Sequence, residues 1–129
     1  MKIALIGYGK MGKAIEEIAL QKGHEIVLKI DVNTIANFTK ENLQKAEVAI
    51  EFTGPLTAYE NITKCLEWKV PVVSGSTGWL DQFEKAKELC NQNNGCLIYA
   101  SNFSIGVNLF FEINKQLAQL MEPYNQYDV

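Results

Sequence analysis

The stretch Gly7-Tyr8-Gly9-Lys10-Met11-Gly12 follows a short apolar run, Ile3-Ala4-Leu5-Ile6, and opens a segment with helical spacing. Its pattern is G-x-G-x-x-G. Glycine is common, so the pattern alone says little; between a strand and a helix it marks a turn that can hold a pyrophosphate. Gly7 permits the tight turn. Gly9 lets the backbone approach a ligand with no Cβ in the way. Gly12 lets the helix lie close to the strand. The start of the helix adds unpaired N–H groups and the positive end of the helix dipole. The plain alternative is a glycine-rich turn with no ligand, and the rest of the chain bears on that choice.

The chain has 129 residues, enough for one domain with a real core. Apolar residues make up 47% and charged residues 21%, the balance of a globular protein. A net charge of −3 gives no electrostatic case for a nucleic-acid partner. All 12 basic residues are lysine, so arginine, the usual planar partner of phosphate, is absent. No apolar run approaches the roughly 20 residues of a membrane span, and no membrane partner or signal peptide is expected. Cys65, Cys90 and Cys96 show neither C-x-x-C nor Cys/His ligand spacing. They read as buried free thiols, with no metal site, in a cytoplasmic protein.

Residues 2–6 read as a strand apolar on both faces. Residues 10–22 read as a helix whose apolar face is Met11, Ala14, Ile15, Ile18 and Ala19, ended by Gly23. Residues 25–30 form a second strand. Asp31 comes directly after it, 19 residues beyond Gly12. There an acid either hydrogen-bonds the adenosine ribose hydroxyls or simply caps a turn; the fingerprint upstream favours the ribose role. Residues 35–38 read as a short strand, and Thr39 caps a short helix over 40–45. A strand over 47–52 leads to Thr53-Gly54, and Pro55 suits the first turn of a helix carrying Tyr59, Ile62, Cys65 and Leu66. A strand over 70–74 closes in Gly75-Ser76-Thr77-Gly78, and Phe83, Ala86, Leu89 and Cys90 follow at helical spacing. A last strand over 96–100 ends in Ser101-Asn102-Phe103-Ser104. The helix after it, with Val107, Phe110, Ile113, Leu117 and Met121, is apolar over more than one face. That pattern predicts burial against something besides the sheet. Residues 122–126 read as a linker and 127–129 as the stub of a further domain.

Strands alternating with helices predict an α/β fold: a single Rossmann-type domain over residues 1–126, a doubly wound parallel sheet in three α/β/α layers. Four loops rich in Gly, Ser, Thr and Asn fall at carboxyl ends of strands, the rim where such sheets bind ligands. Catalytic groups are another matter. The one histidine, His24, falls at the amino end of a strand, away from that rim. Tyr8 and Lys10 flank the fingerprint and read as cofactor neighbours. The residues thus predict cofactor binding and assign no catalytic residue.

The motifs GYGKMG, EFTGP, VVSGSTGW and SNFSIGVN together resemble the dihydrodipicolinate reductase (4-hydroxy-tetrahydrodipicolinate reductase) family of lysine and diaminopimelate biosynthesis. The resemblance covers nearly the whole chain. It implies an N-terminal domain that binds NADH or NADPH and a second domain that binds a cyclic dicarboxylic imine, the hydride acceptor. It places the pyrophosphate loop on Gly7, Tyr8, Gly9, Lys10, Met11 and Gly12 and the ribose acid on Asp31. The nicotinamide neighbours are Gly75, Ser76 and Thr77, with Thr53 and Gly54 nearby. Ser76 stands where the family usually has threonine. Ala100, Ser101, Asn102 and Phe103 match the stretch that closes over the nicotinamide. It also places the strand over 48–52 beside the first strand, across from residues 25–30. The family's His-His-x-x-x-Lys segment is not in these 129 residues. The chain is therefore expected to bind cofactor without turnover, and its parent to be a homo-oligomer. Asp31 and the lack of arginine favour NADH; Lys29 keeps NADPH possible. The alternatives are an NADH-sensing regulatory module, the cofactor domain of another amino-acid-pathway dehydrogenase, and an interaction module with a vestigial fingerprint.

Overall fold

The computed structural model describes residues 1–124 and residue 126; the expected stub over 127–129 lies outside them. Five strands, β1 (Lys2–Ile6), β2 (Glu25–Ile30), β3 (Val48–Glu51), β4 (Val72–Ser74) and β5 (Leu97–Tyr99), form one parallel sheet in the order β2-β1-β3-β4-β5. The helices are α1 (Lys10–Gln21), α2 (Lys40–Leu43), α3 (Ala58–Glu67), α4 (Phe83–Gln92) and α5 (Ile105–Met121). This is the expected Rossmann-type architecture, with β3 beside β1 and across from β2.

The order explains the layers. The chain enters at β1 and moves outward to β2 through α1. It then reverses, crossing to β3 and on to β4 and β5. Parallel crossovers share one hand, so reversing direction moves the helices to the opposite face. The packing agrees. Ala19 of α1, with Ile15, packs on Ile3 and Leu5 and on Ile26, Val48 and Ile50. Leu43 of α2, Ile62, Cys65 and Leu66 of α3, and Ala86 of α4 pack on the other face, over Ala4, Ile6, Ala49 and Val72. Trp79 seals that second core. Its ring meets Tyr99 edge-on at 5.4 Å, and its indole N–H donates to the Ser76 carbonyl at 2.9 Å. The polar edge of a buried indole thus keeps a partner.

Local chemistry sets the element ends. Gly23, with φ of 77°, ends α1, and the Thr39 hydroxyl accepts from the Asn42 N–H to cap α2. Several expectations fail. Residues 35–37 are a 3-10 turn, not a strand, because the Asp31–Thr34 turn ahead of them bends the chain off the sheet. Pro55 sits three residues before α3 rather than in its first turn, and packs on Gly78. On α1, Ile15 and Ala19 pack as expected, whereas Met11, Ala14 and Ile18 are exposed and Gly12 is buried. Among the described residues α1 is the one helix packed on that face, so the row beyond it, ending at Ile98, is open. Helix α5 lies uncovered, in keeping with an apolar pattern that called for a partner other than the sheet. Ile105 is 79% exposed and Leu120 71%, and Leu109, Phe110, Phe111 and Ile113 are exposed as well. The expected covering of this helix is not found among the described residues.

The cysteines divide too: Cys65 is buried, Cys90 half-buried and Cys96 exposed, because Cys96 precedes the edge strand rather than sitting within it. Burial, with the Glu51 carboxylate nearby, pushes the Cys65 thiol up to about 12. In native protein at pH 8, Ellman's reagent should therefore label Cys96 first and leave Cys65 unlabelled until denaturant is added. Labelling of Cys65 at the rate of Cys96 would contradict this packing.

Candidate functional site

Gly7 turns the chain at the end of β1 with φ of 97°. Its N–H and that of Tyr8 both donate to the Ile30 carbonyl, each at 2.9 Å, so the loop is pinned to the end of β2. A Cβ on Gly7 would lie 2.1 Å from the Phe52 carbonyl oxygen, and one on Gly12 would lie 2.6 Å from the Gly7 carbonyl oxygen. Both positions are closed to any side chain by backbone. Gly9 differs: a Cβ there would meet nothing within 4 Å. It is the N-cap of α1, and the first amides of the helix lie just past it. Two of the three glycines are therefore required by the fold, and the third faces open space.

Two hollows flank this loop. The larger, about 970 Å³, is lined by Gly7, Tyr8, Gly9, Asp31, Thr53 and Gly54. The smaller, about 580 Å³, is lined by Met11, Gly75, Ser101, Asn102 and Phe103. Phe52 lines both, with its ring against Gly75, where a Cβ would lie 2.1 Å from the ring. Of the residues expected at the site, Lys10, Gly12, Ser76, Thr77 and Ala100 line neither hollow. Gly12 acts through packing, and the Ser76 hydroxyl turns inward. The loop before α5 is tied to that helix: Asn102 Oδ1 accepts from the Ser104 N–H at 2.8 Å, and the Asn108 side chain donates to the Asn102 carbonyl at 2.9 Å. Sequence reasoning missed Phe52, Asn61 and Lys64 as lining residues. Phe52 had a signal, being a bulky aromatic at the carboxyl end of a strand, next to the rim residues Thr53 and Gly54. Asn61 and Lys64 had none, because only the fold shows that one side of α3 borders the larger hollow.

The charges around the loop are paired locally. The Tyr8 hydroxyl donates to Glu16, and Lys29 Nζ lies 3.2 Å from Glu16 and 5.0 Å over the Tyr8 ring. The bond to Glu16 raises the Tyr8 hydroxyl; the same bond lowers Glu16; Glu16 in turn raises Lys29. Lys29 is thus held away from the hollow. The cation that lines the larger hollow is Lys64, 2.7 Å from Glu60 and above the Phe38 ring. Asp31 Oδ1 accepts from the Asn33 N–H at 2.8 Å, the Thr34 N–H at 3.0 Å and the Thr34 hydroxyl at 3.1 Å. Asp31 therefore does cap a turn, the plainer of its two roles, while its other oxygen has no hydrogen-bond partner among the described residues. His24 lies at the amino end of β2, with Nδ1 3.3 Å from the Met1 amino group. Among the described residues no cluster of three or more His, Cys, Asp and Glu side chains suits a metal, and no helix is long and apolar enough to cross a membrane.

The sheet order and the glycine joint at its rim define the class: a doubly wound α/β domain of the Rossmann type. The comparisons agree. Homoserine dehydrogenase from a hyperthermophilic archaeon, a mutant solved in complex with NADPH, superposes with a TM-score of 0.60 at 17% identity, over 76% of this chain and 43% of that one. Residues 1–103 match the family described as dihydrodipicolinate reductase, N-terminus, and the chain belongs to that family. The 4-hydroxy-tetrahydrodipicolinate reductase of Christiangramia forsetii is 49% identical over all of this chain and 53% of its own length. That of Neisseria meningitidis serogroup C is 31% identical over 88% of this chain and 41% of its own length. The chain thus spans about half the length of the curated relatives it matches.

The Asn33 N–H, followed by the Thr34 donors, holds the Asp31 carboxyl below its ordinary value of 3.8. A lowered carboxyl stabilises the fold above its unfolded value and loses that contribution as pH falls through its folded value. The turn should therefore stay intact through mildly acidic pH and loosen only below about pH 4. A carbon-detected NMR titration of Asp31 should show a midpoint below 3.8; one at or above it would contradict the turn.

Proposed function

We propose that this chain binds a nicotinamide dinucleotide across the two hollows, and that it is the cofactor domain of a 4-hydroxy-tetrahydrodipicolinate reductase. The observation that carries the reading is the glycine joint: Gly7 and Gly12 are closed by backbone while Gly9 stands open. An open glycine at a helix start is what a close-lying pyrophosphate needs. The residues fit that group.

In this reading Gly7, Tyr8, Gly9, Lys10, Met11 and Gly12 form the pyrophosphate loop, with Gly12 acting through helix packing. The unused oxygen of Asp31 accepts from the ribose hydroxyls. Thr53 and Gly54 border the middle of the cofactor. Gly75, Ser101, Asn102 and Phe103 hold its nicotinamide end, and Ser76, Thr77 and Ala100 shape the backbone behind them. When bound, the cofactor supplies the hydride that reduces a cyclic dicarboxylic imine. The protein's own part in this chain is to bind and orient; the imine and the proton donor belong to a second domain of the whole, homo-oligomeric, cytoplasmic protein. Residues 1–126 make up the cofactor domain.

NADH is the better fit. An ionised Asp31 repels a 2′-phosphate, and like charges at contact distance cost on the order of tenfold in affinity. Lys29, the residue that could have compensated, is engaged by Glu16. Titration of the chain, followed by nicotinamide fluorescence, should show NADH binding at least about tenfold tighter than NADPH, with no turnover of substrate. Tighter NADPH binding, or turnover, would refute the assignment. Lys64→Ala should weaken what NADPH binding remains and leave NADH within about twofold, since a partly exposed lysine on a phosphate is worth only a fraction of a tenfold step or a little more; parallel loss for both cofactors would remove Lys64 from the adenosine end.

A further inference from the structure

Glu51 ends β3 and is completely buried, in register with Ile6 on β1 and Ser74 on β4. A carboxylate on the covered face of a sheet is costly unless its oxygens are satisfied. Here they are, and by donors from two different rim loops. Oε1 accepts from the Thr53 N–H at 2.9 Å, from the Ser76 hydroxyl at 2.9 Å and from the Thr53 hydroxyl; Oε2 accepts from the Ser74 hydroxyl at 2.6 Å. The directions are fixed around them. The Thr53 hydroxyl also accepts from Thr57 at 2.9 Å and from the Asn61 amide at 3.2 Å, and the Ser76 hydroxyl accepts from the Thr53 N–H at 2.8 Å. Each of these hydroxyls therefore spends its proton on Glu51. Four donors thus converge on one side chain.

Apolar residues of similar size usually serve stability at a buried site as well as an ionic group does. What the carboxylate adds is placement. It lies behind Phe52, the residue that borders both hollows, and it ties the loop at 53–54 to the loop at 75–76. A ligand filling one hollow is indifferent to their separation. A ligand reaching across both is not.

We propose that Glu51 is a positioning residue for the dinucleotide: it fixes the separation of the two rim loops that the cofactor must span. This rests on the dinucleotide reading above. The test compares the native protein with Glu51→Gln and with Ser74→Ala, which removes the Oε2 donor and lines neither hollow. NADH is titrated by fluorescence and AMP, a one-hollow probe, by calorimetry, with thermal melting as the check on folding. NADH affinity should fall about tenfold or more in Glu51→Gln and less in Ser74→Ala, with AMP affinity within twofold of native in both. If Glu51→Gln does not melt cooperatively, the same divergence is read from Ser74→Ala alone. Equal losses for NADH and AMP, or no loss in a folded variant, would overturn the positioning role while leaving the dinucleotide reading in place. A native protein that binds AMP but not NADH, or neither, would remove that reading and this role with it.

Discussion

Three strand ends and one helix start meet at Gly7, and the rest of the molecule depends on how closely they meet. The Ile30 carbonyl receives two N–H groups from the loop, the Phe52 N–H reaches back to the Ile6 carbonyl at 2.8 Å, and Gly12 presses against the Gly7 carbonyl. β1, β2, β3 and α1 are thereby fixed relative to one another within a few residues. Any side chain at Gly7 or Gly12 would push strand from strand or helix from strand. The clearance at Gly9 has meaning only because its two neighbours have none.

The same tightness accounts for what could be read from the chain and what could not. Strands and helices with strong periodicity, such as residues 2–6 and the face Ile62, Cys65 and Leu66, emerged where the pattern put them, because burial on a sheet enforces that pattern. The glycine joint was legible because Gly7 and Gly12 each answer to a separate steric demand. Residues 35–37 were not, since a side chain–backbone turn at Asp31 outweighs the local apolar preference. Pro55 was misplaced for a related reason: its contact with Gly78 is a tertiary one that no local rule contains. At the site, loops announced themselves by composition, whereas Asn61 and Lys64 entered through the fold alone. Glu51 looked like an ordinary strand end. Its importance arises from Ser74 and Ser76, more than twenty residues away in sequence.

The two faces of the sheet are finished to different degrees. The α2–α4 side is closed by Trp79 and a continuous set of aliphatic residues. The α1 side has a small core of Ile3, Leu5 and Ala19 with open rows beyond it, and α5 leaves the rim with its apolar residues uncovered. Hydrophobic burial stabilises by about 25 cal/mol per Å² removed from water, so these open surfaces represent stabilisation not realised within the described residues. The Glu51 network lies on the covered side, between β3 and β4, whereas the smaller hollow is bordered by Met11 of α1 and by the loop before α5.

A central first strand also sets a schedule for synthesis. Of the five strands β1 leaves the ribosome first, yet its partners end at residues 30 and 51. At about 5–20 residues per second, it waits on the order of seconds for one neighbour and then the other. Its apolar sequence is the most exposed to wrong pairing in that interval, because parallel partners are distant in the chain and slow to arrive. Lys2, the polar residue at its head, and the glycine turn that follows keep that vulnerable run to four residues, Ile3-Ala4-Leu5-Ile6. The glycine turn that closes β1 is thus a safeguard for the nascent chain as well as a joint of the finished sheet.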